Sequence, residues 1–342
     1  MATRRDSRAS QQPVEDSEAE ELELRTADGV TLRATLREPP WREWPEPRGT
    51  MVLAHAAFAR RVEWERPRGD GLAARLARRG YRALAFDFRG HGDSANDGPG
   101  VVRDGSARDG YDAFVRHDLP AVVACAKDRG GRVVVVGHSL GGHVALASQG
   151  LGLLGADGVL AVAANVWHPT FEPSLARQAL KLGVATLMSG LTRGLGVFPA
   201  RALRVGSDDA RPSAVGAFLR TARDGSWRSD DARDDYLAAL TRVDIPVCAL
   251  LSEGDRLACL PESGRRFLSR VGGPSAAFVV RPSADGAPAP DHMGLVTAHH
   301  VGPCHAQWER ALAWLEAALE RRPVASALAA TAAPAFDNSA DS

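Results

Sequence analysis

Apolar and polar residues alternate through ELELR (residues 21–25) and VTLRATLRE (residues 30–38), separated by Ala27-Asp28-Gly29. That pattern predicts a β-hairpin closed by a tight Asp-Gly turn. Farther along, TMVLAHA (50–56), YRALAFDF (81–88), RVVVVG (132–137), GVLAVAANV (158–166), IPVCALLSE (245–253) and SAAFVVRP (275–282) are apolar almost throughout. Runs of this kind and length read as strands buried on both faces. Helical stretches fall between them: residues 71–80, 111–128, the stretch from Gly141, residues 261–270, and the amphipathic HAQWERALAWLEAALERR at 305–322. Strands alternating with helices imply an α/β fold with a doubly wound, mostly parallel sheet, the N-terminal hairpin being its antiparallel part. Right-handed crossovers then set the strand C-termini along one edge, where such sheets bind ligands. Residues 167–244, with helical signals near 175–187 and 210–222, interrupt the alternation and predict a helical lid inserted before the strand IPVCALLSE.

Composition narrows the class. The chain has 342 residues, 44% of them hydrophobic and 25% charged, with 42 basic against 42 acidic side chains. This is an ordinary globular balance, and it lacks the basic excess that a nucleic-acid partner requires. Residues 1–20 and 323–342 have no sustained apolar periodicity and are expected to be disordered, leaving one domain over 21–322. Cys125, Cys248, Cys259 and Cys304 show neither a zinc spacing nor a disulfide framework. The N-terminal segment lacks the apolar core of a signal peptide, and no run approaches the length of a membrane span. A reduced, cytoplasmic protein is the expectation.

The chemistry concentrates at strand ends. Gly137-His138-Ser139-Leu140-Gly141-Gly142 stands between RVVVVG and a helical stretch, the context of a strained turn that lifts a serine hydroxyl above a sheet. Ser139 is the candidate nucleophile, and the Leu140 N–H at the start of the helix is a candidate donor to an oxyanion. A serine hydroxyl needs a base, and the base needs an orienting acid. Asp255 follows IPVCALL in the turn Ser252-Glu253-Gly254-Asp255, and His292 follows SAAFVVRP in the loop 288–294, which completes the order Ser, Asp, His. Glu253 is the nearest rival for the acid; Asp291 would have to fold back on its own neighbour. A second oxyanion donor is expected after TMVLAHA, from Ala57 or, with a one-residue shift, Ala56. His299, His300 and His305 cluster with Cys304 but match no metal-ligand spacing, so neither metal nor cofactor is expected. His117, His143 and His168 read as packing or surface residues, and His138 as a side chain packed beside the turn.

Through His55-Ala56-Ala57, the segment Phe86-Asp87-Phe88-Arg89-Gly90-His91-Gly92-Asp93-Ser94, the serine turn and the Asp255 and His292 positions, the chain resembles the α/β-hydrolase superfamily from about Glu21 to Arg322. The resemblance implies serine chemistry on this fold and a mainly structural role for residues 86–94. Many relatives have His-Gly where this chain has His55-Ala56, and the extra methyl bears on the backbone there. The superfamily includes esterases, lipases, thioesterases, peptidases, lyases and binding proteins, so fold does not choose among them. A carboxylesterase acting on a small-molecule ester with an apolar group is the central expectation; a thioesterase, a serine peptidase or a non-catalytic binding protein on the same fold are the alternatives. Leu182, Val184, Leu187, Met188, Leu191, Leu195, Val197 and Phe198 are spaced either to line a pocket or to form the lid's own core.

Overall fold

A computed structural model describes residues 19–95 and 110–320; residues 1–18 and 321–342, which hold most of the segments expected to be disordered, lie outside the described residues. Among the described residues eight strands form one sheet: β1 (Ala19–Arg25), β2 (Thr31–Arg37), β3 (Gly49–Ala54), β4 (Arg82–Phe86), β5 (Arg132–His138), β6 (Gly158–Val162), β7 (Val247–Ser252) and β8 (Ser275–Val280). Their spatial order is β1-β2-β4-β3-β5-β6-β7-β8. The first two pairings, β1 with β2 and β2 with β4, are antiparallel, and the remaining neighbours run parallel. The hairpin closes where expected, Gly29 N–H donating to Thr26 O at 2.9 Å, but β1 begins at Ala19, paired with Arg37, so the ordered sheet starts ahead of residue 21.

The helices are α1 (Leu72–Arg78), α2 (Tyr111–Ala113), α3 (Leu119–Asp128), α4 (Leu140–Gly150), α5 (Leu175–Leu195), α6 (Pro212–Asp224), α7 (Tyr236–Ala239), α8 (Pro261–Leu268), α9 (Gly294–Thr297) and α10 (Gly302–Leu319). Every residue of β3, β6 and β7 is buried, as is β5 after Arg132, which means that both faces of the sheet are covered. Each of Val133 to Val136 in β5 is at most 1% exposed, and each such burial contributes on the order of 1.5–3 kcal/mol. Helices α1 and α10 lie together, joined by Arg79 to Glu316 (2.8 Å) and Arg75 to Glu309 (2.7 Å). Helices α5 and α6 occupy the stretch between β6 and β7.

The segment 86–94 is held by charge. Asp87 accepts from the backbone N–H of Arg61 (2.6 Å) and of Asp93 (3.0 Å) and pairs with the Arg61 guanidinium. Arg89 bridges Asp118 (2.8 Å) and Asp28 (2.7 Å), and its side chain is almost wholly buried. Burial pushes the Asp118 carboxyl up, with Arg89 opposing that shift. Removing the cation alone therefore strands a buried carboxylate, at a cost of about 3–5 kcal/mol. Urea denaturation of Arg89→Met should show a loss of that size, and the double variant Arg89→Met/Asp118→Leu should be more stable than the single one. Equal stability of the two would mean that the pair does not behave as a buried ion pair.

Candidate active site

Ser139 sits between β5 and α4 with φ 50° and ψ −108°, a region that a side-chain-bearing residue occupies only at a cost of order 1–3 kcal/mol. The surroundings impose it. A Cβ at Gly141 would lie 2.2 Å from the Ala54 carbonyl oxygen, and one at Gly137 would lie 2.4 Å from Gly142 N, so the chain doubles back with no room for side chains. Ser139 N–H donates to Val162 O at 2.8 Å and Gly141 N–H to His55 O at 3.2 Å, fixing the turn to β6 and to the end of β3. The Ser139 hydroxyl makes no hydrogen bond among the described residues.

His292 and Asp255 are brought together. His292 Nδ1 lies 2.5 Å from Asp255 Oδ2, and the carboxylate also accepts from Ala258 N–H (2.9 Å) and Cys259 N–H (3.1 Å). Burial works to raise the Asp255 pKa, but the bond from His292 and the two backbone donors more than offset it, so the carboxyl is held below its ordinary value. The two loops are laced together by Ser252, whose hydroxyl donates to Pro290 O at 2.5 Å and accepts from Gly254 N–H at 3.1 Å. The rivals point elsewhere: Glu253 pairs with Arg281 at 3.0 Å, and Asp291 accepts from Gly294 N–H at 2.7 Å. His292 Nε2 has no partner among the described residues, and its ring lies 4.9 Å from that of His138, the residue before Ser139. The structure thus joins His292 to Asp255 but shows no hydrogen bond between His292 Nε2 and the Ser139 hydroxyl.

Of the two candidate donors after β3, Ala56 N–H is taken by Glu63 Oε1 at 3.0 Å. Ala57 N–H makes no hydrogen bond among the described residues, and Leu140 N–H, first in α4, has no acceptor within its helix. The left-handed backbone falls not on Ala56 but on Phe58, at φ 62°. That turn is stabilised by the Phe58 carbonyl accepting from Ser207 N–H (2.7 Å) and Asp208 N–H (3.0 Å). Phe58 also packs on Phe198 at 5.2 Å, and with Met188, Ala200, Ala210 and Val215 builds a satellite core. The apolar residues of 182–198 thus divide: Met188 and Phe198 belong to that core, whereas Leu187 and Leu195 face outward at 65% and 61% exposure.

Two clusters escaped sequence reasoning. His143, one turn along α4, is buried, and its Nδ1 lies 2.8 Å from the Tyr111 hydroxyl, which accepts from Trp227 Nε1–H at 3.2 Å. Burial pushes His143 down to about 3, so it is neutral. With Trp167, Phe218 and Thr221 these three line a small cavity of about 20 Å³. The second cluster joins Glu63, His138 and the His292 carbonyl. No local signal announces either, since Glu63 and His138 are 75 residues apart. Elsewhere, His299 Nδ1 lies 2.8 Å from Val296 O, and His305 stands beside Arg75.

Residues 51–301 match the alpha/beta hydrolase family, and the chain belongs to it. A Gibberella zeae protein described as an AB hydrolase superfamily protein is 35% identical over 102 residues, a stretch covering 29% of this chain and 30% of that protein's length. Among solved structures, a Burkholderia cenocepacia protein provisionally named an aryl esterase aligns with TM-score 0.52 at 19% identity, over 88% of this chain and all (100%) of that one. An esterase of Pyrococcus furiosus aligns with TM-score 0.51 at 18% identity, over 85% of this chain and 87% of that one. At such identities the structural likeness shows the fold alone. No helix among the described residues is long and apolar enough to cross a membrane.

The depressed Asp255 carboxyl has a measurable consequence. A group whose folded pKa lies below its unfolded value of about 3.9 contributes stability above that pH and loses it as pH falls through the folded value. In urea denaturation between pH 5 and pH 3, Asp255→Asn should therefore lose less stability than the unsubstituted protein. Parallel acid limbs for the two would show that Asp255 is not held in its charged form.

Proposed function

We propose that this alpha/beta hydrolase family member is a serine hydrolase that cleaves a carboxylic ester through an acyl-enzyme. The observation that supports it most is the strained Ser139 turn set beside a histidine whose Nδ1 is 2.5 Å from the buried Asp255. Asp255 accepts from Nδ1–H, which leaves Nε2 as the basic nitrogen. In the proposed reaction Ser139 Oγ attacks the ester carbonyl while His292 Nε2 takes its proton. The N–H groups of Ala57 and Leu140 receive the oxyanion. Collapse expels the alcohol with the proton returned by His292, and water repeats the sequence on the acyl-serine to release the acid.

The aromatic cavity one turn beyond Ser139 holds only a water-sized group at about 20 Å³, so a small-molecule ester with an apolar group would enter it only if the wall from the insertion moved. An open cleft bordered by Ala57, Phe58, Val205 and Met293 offers an approach from the other side. The helical insertion over residues 167–244 acts in this reading as a lid on one α/β-hydrolase domain spanning 21–322, in a cytoplasmic protein. The cavity side chains come from α2, α4, the segment after β6, α6 and Trp227 beyond it, so selectivity is shared between the helices on the sheet and the insertion.

A fluorophosphonate probe should label the protein at Ser139. Ser139→Ala should abolish labelling and lower turnover of the best substrate by about three to six powers of ten without unfolding the protein. Asp255→Asn should cost turnover far more than Glu253→Gln, because only the former disturbs the histidine's tautomer. Within a panel of matched esters, thioesters and aminoacyl amides, the esters should turn over fastest. An unlabelled serine, or near-normal activity in Ser139→Ala, would end the proposal, and preference for the thioesters would move it to a thioesterase.

A further inference from the structure

We infer that Glu63 and His138 form a second carboxylate–histidine pair, which positions both the loop carrying Ala57 and the base His292. The inference rests on the proposed roles of Ser139 and His292. The pair is wholly internal: His138 is 0% and Glu63 5% exposed. Glu63 Oε1 accepts from Ala56 N–H at 3.0 Å, the residue before the candidate oxyanion donor. His138 Nδ1 lies 3.3 Å from Glu63 Oε2 and 3.4 Å from Oε1. Its Nε2 lies 3.1 Å from the carbonyl oxygen of His292. One unbroken chain of polar contacts therefore runs from the loop after β3, past the residue that precedes Ser139, to the backbone of the proposed base.

Donor and acceptor chemistry fixes where protons sit. The His292 carbonyl can only accept, so His138 Nε2 must carry hydrogen. The contact at Nδ1 then needs one more proton, either on Nδ1 facing a carboxylate or on Glu63 facing a bare Nδ1. In both arrangements the pair holds two protons and is neutral overall, which suits its burial. If residue 138 only packed beside Trp64, whose ring lies 6.4 Å away, an apolar side chain would serve with no polar atoms to satisfy. Glu63 is itself anchored, because the short helical turn Arg61–Glu65 is tied to Asp87 through Arg61 N–H. Neither Ala57 nor His292 can drift from Ser139 without breaking a link in this chain, and a misplacement of about 1 Å at a reacting group costs on the order of a hundredfold in rate.

The test combines the protein as it stands with two substitutions. In ¹⁵N-histidine NMR at neutral pH, the His138 Nε2 should be protonated. Glu63→Leu, which removes the links to Ala56 N–H and to His138 Nδ1, should slow single-turnover acylation by p-nitrophenyl acetate about tenfold to a hundredfold, with KM changed by less than about threefold, and should slow fluorophosphonate labelling in parallel. Glu63→Gln should recover most of that rate, because its amide oxygen still accepts from Ala56 while its NH₂ donates to His138 Nδ1 and keeps the hydrogen on Nε2. A folded Glu63→Leu protein that acylates at the normal rate, a Glu63→Gln protein as slow as Glu63→Leu, or a His138 Nε2 without hydrogen would each overturn the pair. If Glu63→Leu does not fold, the NMR result on the unsubstituted protein decides. An unsubstituted protein that fails to react with the fluorophosphonate sinks the serine-hydrolase reading and this inference with it, whereas a labelled protein indifferent to Glu63→Leu sinks the inference alone.

Discussion

The close approach of α4 to the end of β3 is the constraint on which the site depends. Gly141 N–H reaches His55 O, and a Cβ at Gly141 would meet Ala54 O at 2.2 Å. Only a residue without a side chain lets the helix start against the neighbouring strand. Starting there, it leaves a single residue in which to reverse the chain leaving β5, and that residue is Ser139, forced to φ 50°. The same contact sets the first N–H of α4 beside the loop that carries Ala57. Serine placement and the two candidate oxyanion donors are thus consequences of one packing event, supported by central strands buried on both faces that cannot slide to relieve it.

A second regularity concerns the loops along this edge of the sheet. Beyond the strand ends backbone N–H groups lose their ladder partners, and those that are buried must find others. Here buried carboxylates supply them. Asp87 accepts from Arg61 and Asp93, Asp118 from Arg89, Glu63 from Ala56, and Asp255 from Ala258 and Cys259. Each carboxylate then meets a cation or an imidazole: Arg61, Arg89, His138 and His292 respectively. The Asp255–His292 pair is therefore one of four built on the same plan. What sets it apart is its partner: His292 keeps 22% exposure and a second nitrogen without a bond, while His138 spends both nitrogens inside the protein.

Much of this was legible in the sequence where the signal is local. Apolar runs marked the parallel strands, and glycines flanking Ser139 marked the turn. The meeting of Asp255 and His292 could be anticipated because each follows a strand end on the same edge of the sheet. Local reasoning missed what depends on distant partners. His138 reads as packing until Glu63 and the His292 carbonyl are seen beside it, and His143 until Tyr111 and Trp227 are. Helix α5 runs to Leu195, beyond the signals near 175–187, because the glycines at 183, 190 and 194, which weaken a helix in isolation, are tolerated where Met188 and Thr192 are buried on its inner side. The same satellite core explains why apolar residues of the insertion did not all line a pocket: Phe58, on the loop after β3, draws Met188 and Phe198 toward itself.

That insertion is fastened to the site at two places, which limits how it can move. At one, Arg177 of α5 donates to the carbonyls of Arg256 (2.6 Å) and Leu257 (3.0 Å), and Lys181 donates to Ala258 O at 3.0 Å. The peptide groups on that stretch are the ones whose N–H side, at Ala258 and Cys259, holds Asp255. Lys181 is itself buried against Glu172 at 2.5 Å, and although burial lowers its pKa, the carboxylate opposes the change. At the other place, Phe58 O is bound by residues 207 and 208, and Arg60 pairs with Asp208 at 2.6 Å. Swinging α5 away would therefore pull on the loop of Asp255, and lifting residues 198–210 would pull on the loop of Ala57. Breaking the buried Lys181–Glu172 pair would expose two unpaired charges to an apolar setting, a cost of several kcal/mol. The arrangement favours small adjustments of α6, which bears Ala217, Phe218 and Thr221 on the cavity wall and has neither of these anchors, over opening of the insertion as one flap.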